Sequence, residues 1–320
     1  MKRSLVTLAA LAAIAVMTAY PTGAASGTPA TQDLATVQGG YDVAAGGTLR
    51  VDASFGSIEV STASGNRVDV RVIREVRDRF EDDEQQIIGE HNVELSQSGN
   101  DVVVTTSVSD DARDRWNDEY NTTPLSVRFE ISVPRSYNVD LGTRGGNISV
   151  EDLDGEVRTE TAGGNISLDG SSGTAEVRTS GGNITIGDVA GDVDAETAGG
   201  SIHIERAGGE VRAETAGGNI TVDEVGGTID ARTSGGNVSA NITQQPSSDC
   251  RLSTSAGTVT LTLSSGIGLD IDASTSIGGV SSDFDVDGSV SRNAIRGSVN
   301  GGGPEMHLRT SAGRIRIRER

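Results

Sequence analysis

TRGGNISVEDLDGEVRTE (residues 143–160) is followed by TAGGNISLDGSSGTAEVR (161–178) and TSGGNITIGDVAGDVDAE (179–196). Gly-Gly pairs recur at 145, 163, 181, 199, 217 and 235, always 18 residues apart. A short, strict period describes units that stack on their neighbours. Within each unit Ile148, Ile166, Ile184, Ile202, Ile220 and Val238 form one column, and Val150, Leu168, Ile186, Ile204, Val222 and Ala240 form another two residues on. That alternation predicts a strand with one buried face. A Gly at 155, 173, 191, 209 and 227 precedes a second strand with Val157, Ala175, Val193, Val211 and Ile229 facing inward, then Thr159, Val177, Ala195, Ala213 and Ala231. Two short strands per 18 residues leave no room for a crossover helix. The prediction is an all-β fold, a parallel β-solenoid (β-helix) of 18-residue coils, with equivalent residues about 4.8 Å apart along its axis.

The polar columns fit the same register. Arg158, Glu176, Asp194, Arg212 and Asp230 make one outward row, and Glu160, Arg178, Glu196, Glu214 and Arg232 another; only Glu176–Asp194 and Glu196–Glu214 are like-charged neighbours. Each exposed pair is worth roughly 0–1 kcal/mol, so the rows report register more than stability. Two further columns read as structural ladders. One holds Asn147, Asn165, Asn183, Asn219 and Asn237, with Ser201 interrupting; the other holds Thr143, Thr161, Thr179, Thr197, Thr215 and Thr233. Stacked Thr can order water on ice-binding solenoids, but parity here turns the Thr column inward at a corner.

The remaining chain divides around this array. Residues 1–25 carry Lys2 and Arg3, an apolar run from Leu5 to Ala19, then Gly23, Ala24 and Ala25. This is the pattern of a secretory signal peptide, with a run too short for a membrane span. No later stretch is predicted to span a bilayer as a helix. Residues 26–47 read as a flexible lead-in and 48–142 as an N-terminal β capping region. Within the cap, Phe55-Gly56-Ser57-Ile58 looks like a degenerate repeat, and 91–108 like a hairpin turning at Ser98–Asp101. Asp78 with Glu81 predicts a capping box on one short helix ending at Gly89, followed after Val108 by a polar loop holding Trp116 and Tyr120. The regular repeats occupy 143–243. Residues 244–320 then form irregular C-terminal coils and a terminal strand, RIRIRER, whose charges suit a sheet edge.

VPRSYNVDLGTRGGNISV, the T-x-G-G-N-I repeats and GGGPEMHLRTSAGRIRI resemble the bacterial DUF4097 family, whose label is adhesin. The resemblance runs from about residue 50 to the end. It implies a β-solenoid in an envelope or secreted setting and offers no catalytic motif to transfer.

Composition narrows the function. Without Lys2 and Arg3 the 26 basic residues fall to 24 against 46 acidic ones, a net charge of −22. Such a surface does not attract nucleic acid or anionic lipid. One cysteine, Cys250, allows no internal disulfide and reads as a small buried residue. The three histidines, His91, His203 and His307, lack metal-ligand spacing and read as surface residues. Glu151, Asp169, Glu205 and Asp223 share a column beside Asp152, Asp188 and Glu224. This ridge is a weak candidate for a cation and reads first as a solvated face. No catalytic residue, cofactor or resident metal is implied. The reading is a non-enzymatic, exported β-solenoid, periplasmic, cell-surface or secreted. Its regular faces would bind a glycan, a surface or another envelope protein. The alternatives are a structural or stress-associated envelope protein without external ligand, and a carbohydrate-active β-helix enzyme.

The register makes a paired prediction. Ile184→Asp forfeits about 1.5–3 kcal/mol of apolar burial and buries a charge, whereas Thr185→Asp, one residue on, is nearly neutral. Equal thermal unfolding midpoints for the two variants would overturn the assignment of faces.

Overall fold

A computed structural model describes residues 27–32 and 35–320; the expected signal peptide at 1–25 lies outside them. The described chain is mostly β, built of two large, mostly parallel sheets facing each other across one apolar core. In sheet I the strand Ile166–Ser171 pairs with Ile148–Val150 on one side and Ile184–Val189 on the other, setting Ile148 against Ile166 and Ile166 against Ile184. The series continues through Ile202–Ala207, Ile220–Val225, Val238–Ile242 and Val259–Leu263. Sheet II repeats the arrangement with Asn138–Thr143, Val157–Thr161, Ala175–Thr179, Val193–Thr197, Val211–Thr215 and Ile229–Thr233. The inward columns are buried, with Val177, Ala195, Ala213 and Ala231 sharing one of those on sheet II.

The Gly-Gly pairs set the spacing of the stack. A Cβ on Gly164, Gly182, Gly200, Gly218 or Gly236 would lie 1.8–2.0 Å from the carbonyl oxygen of the corresponding glycine one repeat back. The first glycine of each pair has no such neighbour; at Gly199 the nearest atom would be 3.6 Å away. Bare backbone, not a left-handed conformation, is therefore what these five second positions require; Gly146, in the first pair, combines the close approach with φ 131°. Thr and Asn fasten the same corner. Thr161, Thr179, Thr197, Thr215 and Thr233 are buried and donate through Oγ1 to the carbonyls of Gly146, Gly164, Gly182, Gly200 and Gly218 at 2.8–3.0 Å. Thr143 donates likewise to Gly56 at 3.0 Å. The Asn column passes a second chain of bonds: Asn147 Oδ1 accepts from Asn165 N–H, Asn165 from Asn183, Asn183 from Ser201 and Asn219 from Asn237, at 2.8–2.9 Å. Ser201 Oγ fills the gap, accepting from Asn219 N–H at 3.1 Å.

Both ends of the array depart from chain order. The degenerate repeat joins the stack, with Ile58 opposite Ile148 and Val51 opposite Leu141. Beyond it sheet I runs through Leu125–Pro134, Arg67–Val76 and Thr36–Asp42, and sheet II through the hairpin Asp101–Val108 and His91–Ser98. The lead-in expected at 26–47 is thus corrected: Gly27–Gln32 and Thr36–Asp42 are strands, with Val37, Tyr41 and Val43 buried. Gly39 and Gly40 looked like linker. They serve instead to let Tyr41 and Arg67 lie against bare backbone, where a Cβ would sit 2.9 Å from the Tyr41 hydroxyl and 1.9 Å from the Arg67 guanidinium.

The helices differ as well. A 3-10 turn, Asp78–Asp83, leads into α1, Glu84–Glu90, with no side-chain cap on either. The Asp78 capping box is not formed, and Gly89 lies inside α1. The loop expected after Val108 holds a second helix, α2, Asp110–Arg115, whose Ser109 Oγ accepts from Ala112 N–H at 3.2 Å. A π-helical turn, Trp116–Tyr120, follows and ends at Asn121 with φ 49°.

At the other end the last strand is not an edge. Glu305–Ala312 lies between Cys250–Ala256 and Leu269–Ile277, and Ile315–Glu319 lies between Val259–Leu263 and Val280–Ser282. Ile315 and Ile317 are buried as parity requires. Their arginine neighbours point outward from the interior of a sheet.

The two glycines of one pair provide a direct check. Gly200→Ala is expected to cost about 1–3 kcal/mol, because backbone must move to admit the methyl. Gly199→Ala is expected to be neutral or mildly stabilising through the unfolded chain. Chemical denaturation of both variants measures the difference, and a matching loss in the two would refute the close-approach account.

Candidate functional site

The outward face of sheet I carries one hydroxyl-rich row in register: Ser149, Ser167, Thr185, His203, Thr221, Ser239 and Thr260. All are exposed or half-buried. At the capped end this row runs into a groove of about 770 Å³ where antiparallel strands continue sheet I beyond the array. Gln38, Glu59, Ser61, Arg71, Glu130 and Ser149 line it. Two of its cations are already engaged, Arg71 with Glu130 at 3.4 Å and Arg67 with Asp69 at 2.8 Å. The hydrogen-bonding groups left over are hydroxyls, an amide and the Glu59 carboxylate. The sequence reading missed the groove, because its walls come from strands far apart in the chain. The only local signal is the Gly39-Gly40 pair that thins one wall.

The acidic ridge lies beside the hydroxyl row but is dispersed. Glu151 accepts from Thr62 N–H at 2.9 Å, and Asp223 lies 3.7 Å from His203 Nε2. Arg206 bridges Asp188 and Glu224 at 2.8 and 2.9 Å. Among the described residues, the acidic and histidine groups whose ligand atoms converge are Asp272, Glu305 and His307, not Glu151, Asp169, Glu205 and Asp223. Arg309 and Arg296 both bind the Asp272 carboxylate, and the Arg309 hydrogen bond in particular holds its pKa below the usual range. A cation there would meet two guanidinium groups.

Sheet II presents a lattice of ion pairs. Arg158 meets Glu176 at 2.7 Å, Arg178 meets Glu176, Asp194 and Glu196, and Arg212 meets Asp194 and Glu214. The charges satisfy one another along and across the rows, so this face offers an incoming ligand little unpaired charge.

The family model described as Toastrack DUF4097 matches residues 57–318. The chain belongs to this family. Among solved structures, a Bacteroides fragilis protein described as a "putative adhesin" is 10% identical, with 89% of this chain and 97% of that one covered and a TM-score of 0.37. A Clostridium sporogenes "putative cell adhesion protein" is 14% identical, over 88% and 99% of the two chains, with a TM-score of 0.20. A Parabacteroides distasonis "putative lipid binding protein" is 9% identical, over 88% and 96%, with a TM-score of 0.30. No curated protein matches the chain.

This DUF4097 chain also buries a histidine that its sequence placed at the surface. His91 is 1% exposed, and neither ring nitrogen has a hydrogen-bond partner among the described residues. It packs 5.3 Å from the Phe55 ring, and its own carbonyl accepts from the Arg74 guanidinium at 3.1 Å. Burial, then the Arg74 charge, pushes the imidazole down to about 4. The unfolded chain, with an ordinary histidine near 6.5, binds a proton that the folded chain refuses. Stability from neutral His91 is therefore complete above about pH 6.5 and is lost as pH falls toward 4, by about 3 kcal/mol. Urea unfolding at pH 7 and pH 4 should show that His91→Leu loses less stability on acidification than the parent. Equal losses would rule out His91 as the source.

Proposed function

We propose that this chain is a non-enzymatic exported binding protein, a β-solenoid of 18-residue coils that holds an extended glycan along the outward face of sheet I. The observation that supports it is the continuity of the groove with the hydroxyl row. Ser149 belongs to both, and the row then offers one hydroxyl or imidazole per repeat through Thr260. Strand spacing places these groups about 4.8 Å apart, close to the advance of one sugar residue in an extended polysaccharide. A row of single hydroxyls is weak at each position and gains through repetition, as linked contacts do. Among the described residues, the row and the groove lining hold no Phe, Tyr or Trp, so hydrogen bonding, not stacking, selects the ligand. An exported location follows from the leader-like residues 1–25 and suits a polymer of the envelope.

Co-sedimentation of the mature chain with insoluble cell-envelope polysaccharide tests this. Thr185→Arg combined with Thr221→Arg should lower retention about tenfold by blocking the row, while Arg158→Ala on sheet II should leave it unchanged. Retention indifferent to the first pair would remove sheet I as the binding face. Retention lost only with sheet II variants would move the site there.

A further inference from the structure

The array keeps its columns so strictly that departures from them are informative. The residue before each Gly-Gly pair is Ala162, Ser180, Ala198, Ala216 or Ser234, but Arg144 in the first repeat. The first-Gly column is held by glycine throughout the array, but Phe55 occupies it in the degenerate repeat, whose register with the array is fixed by Ala53 opposite Thr143 and Ile58 opposite Ile148. The two departures lie in adjacent layers of the stack. Both border one cavity of about 250 Å³, closed on its other side by α2 and the π-helical turn, which contribute Arg113, Trp116 and Asn117, and by Thr122 just beyond.

The cavity wall is rigid. Trp116 is buried, donates from Nε1 to Glu90 Oε2 at 2.8 Å, and meets the Phe55 ring edge-on at 6.2 Å. Glu90 is in turn paired with Arg115. The cations at the mouth are less committed. Arg144 is exposed and makes no ion pair among the described residues, and Arg113 pairs only with Asp110, whose side chain is 94% exposed. Arg144 and Arg113 thus bring two guanidinium-bearing side chains to one cavity that Phe55 and Trp116 also line. Guanidinium forks match carboxylates in geometry and charge. A half-buried phenyl ring with nearby amide and hydroxyl groups matches a pyranose, apolar on one face and hydroxylated at its edge.

We propose that this cavity binds a carboxylate-bearing sugar, with Arg144 and Arg113 taking the carboxylate, Phe55 meeting the apolar face of the ring, and Asn117 and Thr122 its hydroxyls. The site is separate from the sheet I groove and does not rest on it.

Trp116 is the single tryptophan of the chain, so its fluorescence reports on the cavity alone. Titration of the full mature chain with glucuronate should give a saturable change in emission, at least tenfold tighter than with glucose. Arg144→Ala installs the residue found at 162, 198 and 216; it should weaken the response tenfold or more without moving the thermal midpoint. The Thr185→Arg/Thr221→Arg pair should leave the response intact, which separates this site from the polysaccharide face. The proposal is overturned by no response to glucuronate or by glucose acting as strongly. It is equally overturned by inorganic phosphate matching glucuronate, or by Arg144→Ala retaining the full response.

Discussion

Backbone lying on backbone at the second glycine of each pair is the constraint from which the rest of the molecule follows. With Cβ positions only 1.8–2.0 Å from a carbonyl of the preceding repeat, no other residue fits without displacing the layer. That contact fixes how one repeat sits on the next. The Thr hydroxyl donates to the same glycine carbonyl that would meet the Cβ, and the Asn carboxamide bonds the residue just beyond it. Side chain and main chain therefore define one register at a single corner. The apolar columns follow that register and bury themselves, and the charged rows follow it on the outside. No internal disulfide is available to hold the stack, since Cys250 is the only cysteine and is buried.

The array was legible because each repeat states the same pattern again. Period-two alternation gave the inward faces, and the pairing of Ile148 with Ile166 with Ile184 places them as read. Elsewhere the signals were present but outweighed. Ser109, the acids Asp110 and Asp111, and the later Arg113 and Arg115 are ordinary helix-terminus residues. They were read as a polar loop because six residues are too few to show periodicity. The Gly- and Ala-rich composition of 26–47 reads as a lead-in, yet at Gly39-Gly40 the side chains of Tyr41 and Arg67 make bare backbone a packing surface. His91 shares parity with Val93, and that alternation is a better guide to its burial than the absence of metal-ligand spacing.

What local pattern cannot express is which distant strands become neighbours. The sheet I groove needs Gln38, Glu59, Arg71 and Glu130 from four separate strands, and no window of sequence contains them. The acidic ridge shows the opposite failure. Glu151, Asp169, Glu205 and Asp223 align in one column, yet the groups the fold brings together are Asp272, Glu305 and His307. A repeat distributes like residues along an axis, whereas a binding site needs unlike residues at one point. Such points arise where the repeat is broken, at either end of the array.

The placement of residues 305–319 has a consequence for how the molecule is completed. The strand Leu269–Ile277 has Glu305–Ala312 as its parallel neighbour, and Val280–Ser282 has Ile315–Glu319. On the side facing the array, Ile271 lies opposite Met306 and Ala273 opposite Leu308, so the neighbours of this layer come from the later segment. From Ile148–Val150 to Val259–Leu263 each strand of sheet I lies beyond the one before it in chain order, and Ile315–Glu319 is then inserted between Val259–Leu263 and Val280–Ser282. In both sheets, residues 305–319 supply the strands through which that outer layer is hydrogen-bonded to the array, so the segment works as a clasp between the repeats and the layer beyond them.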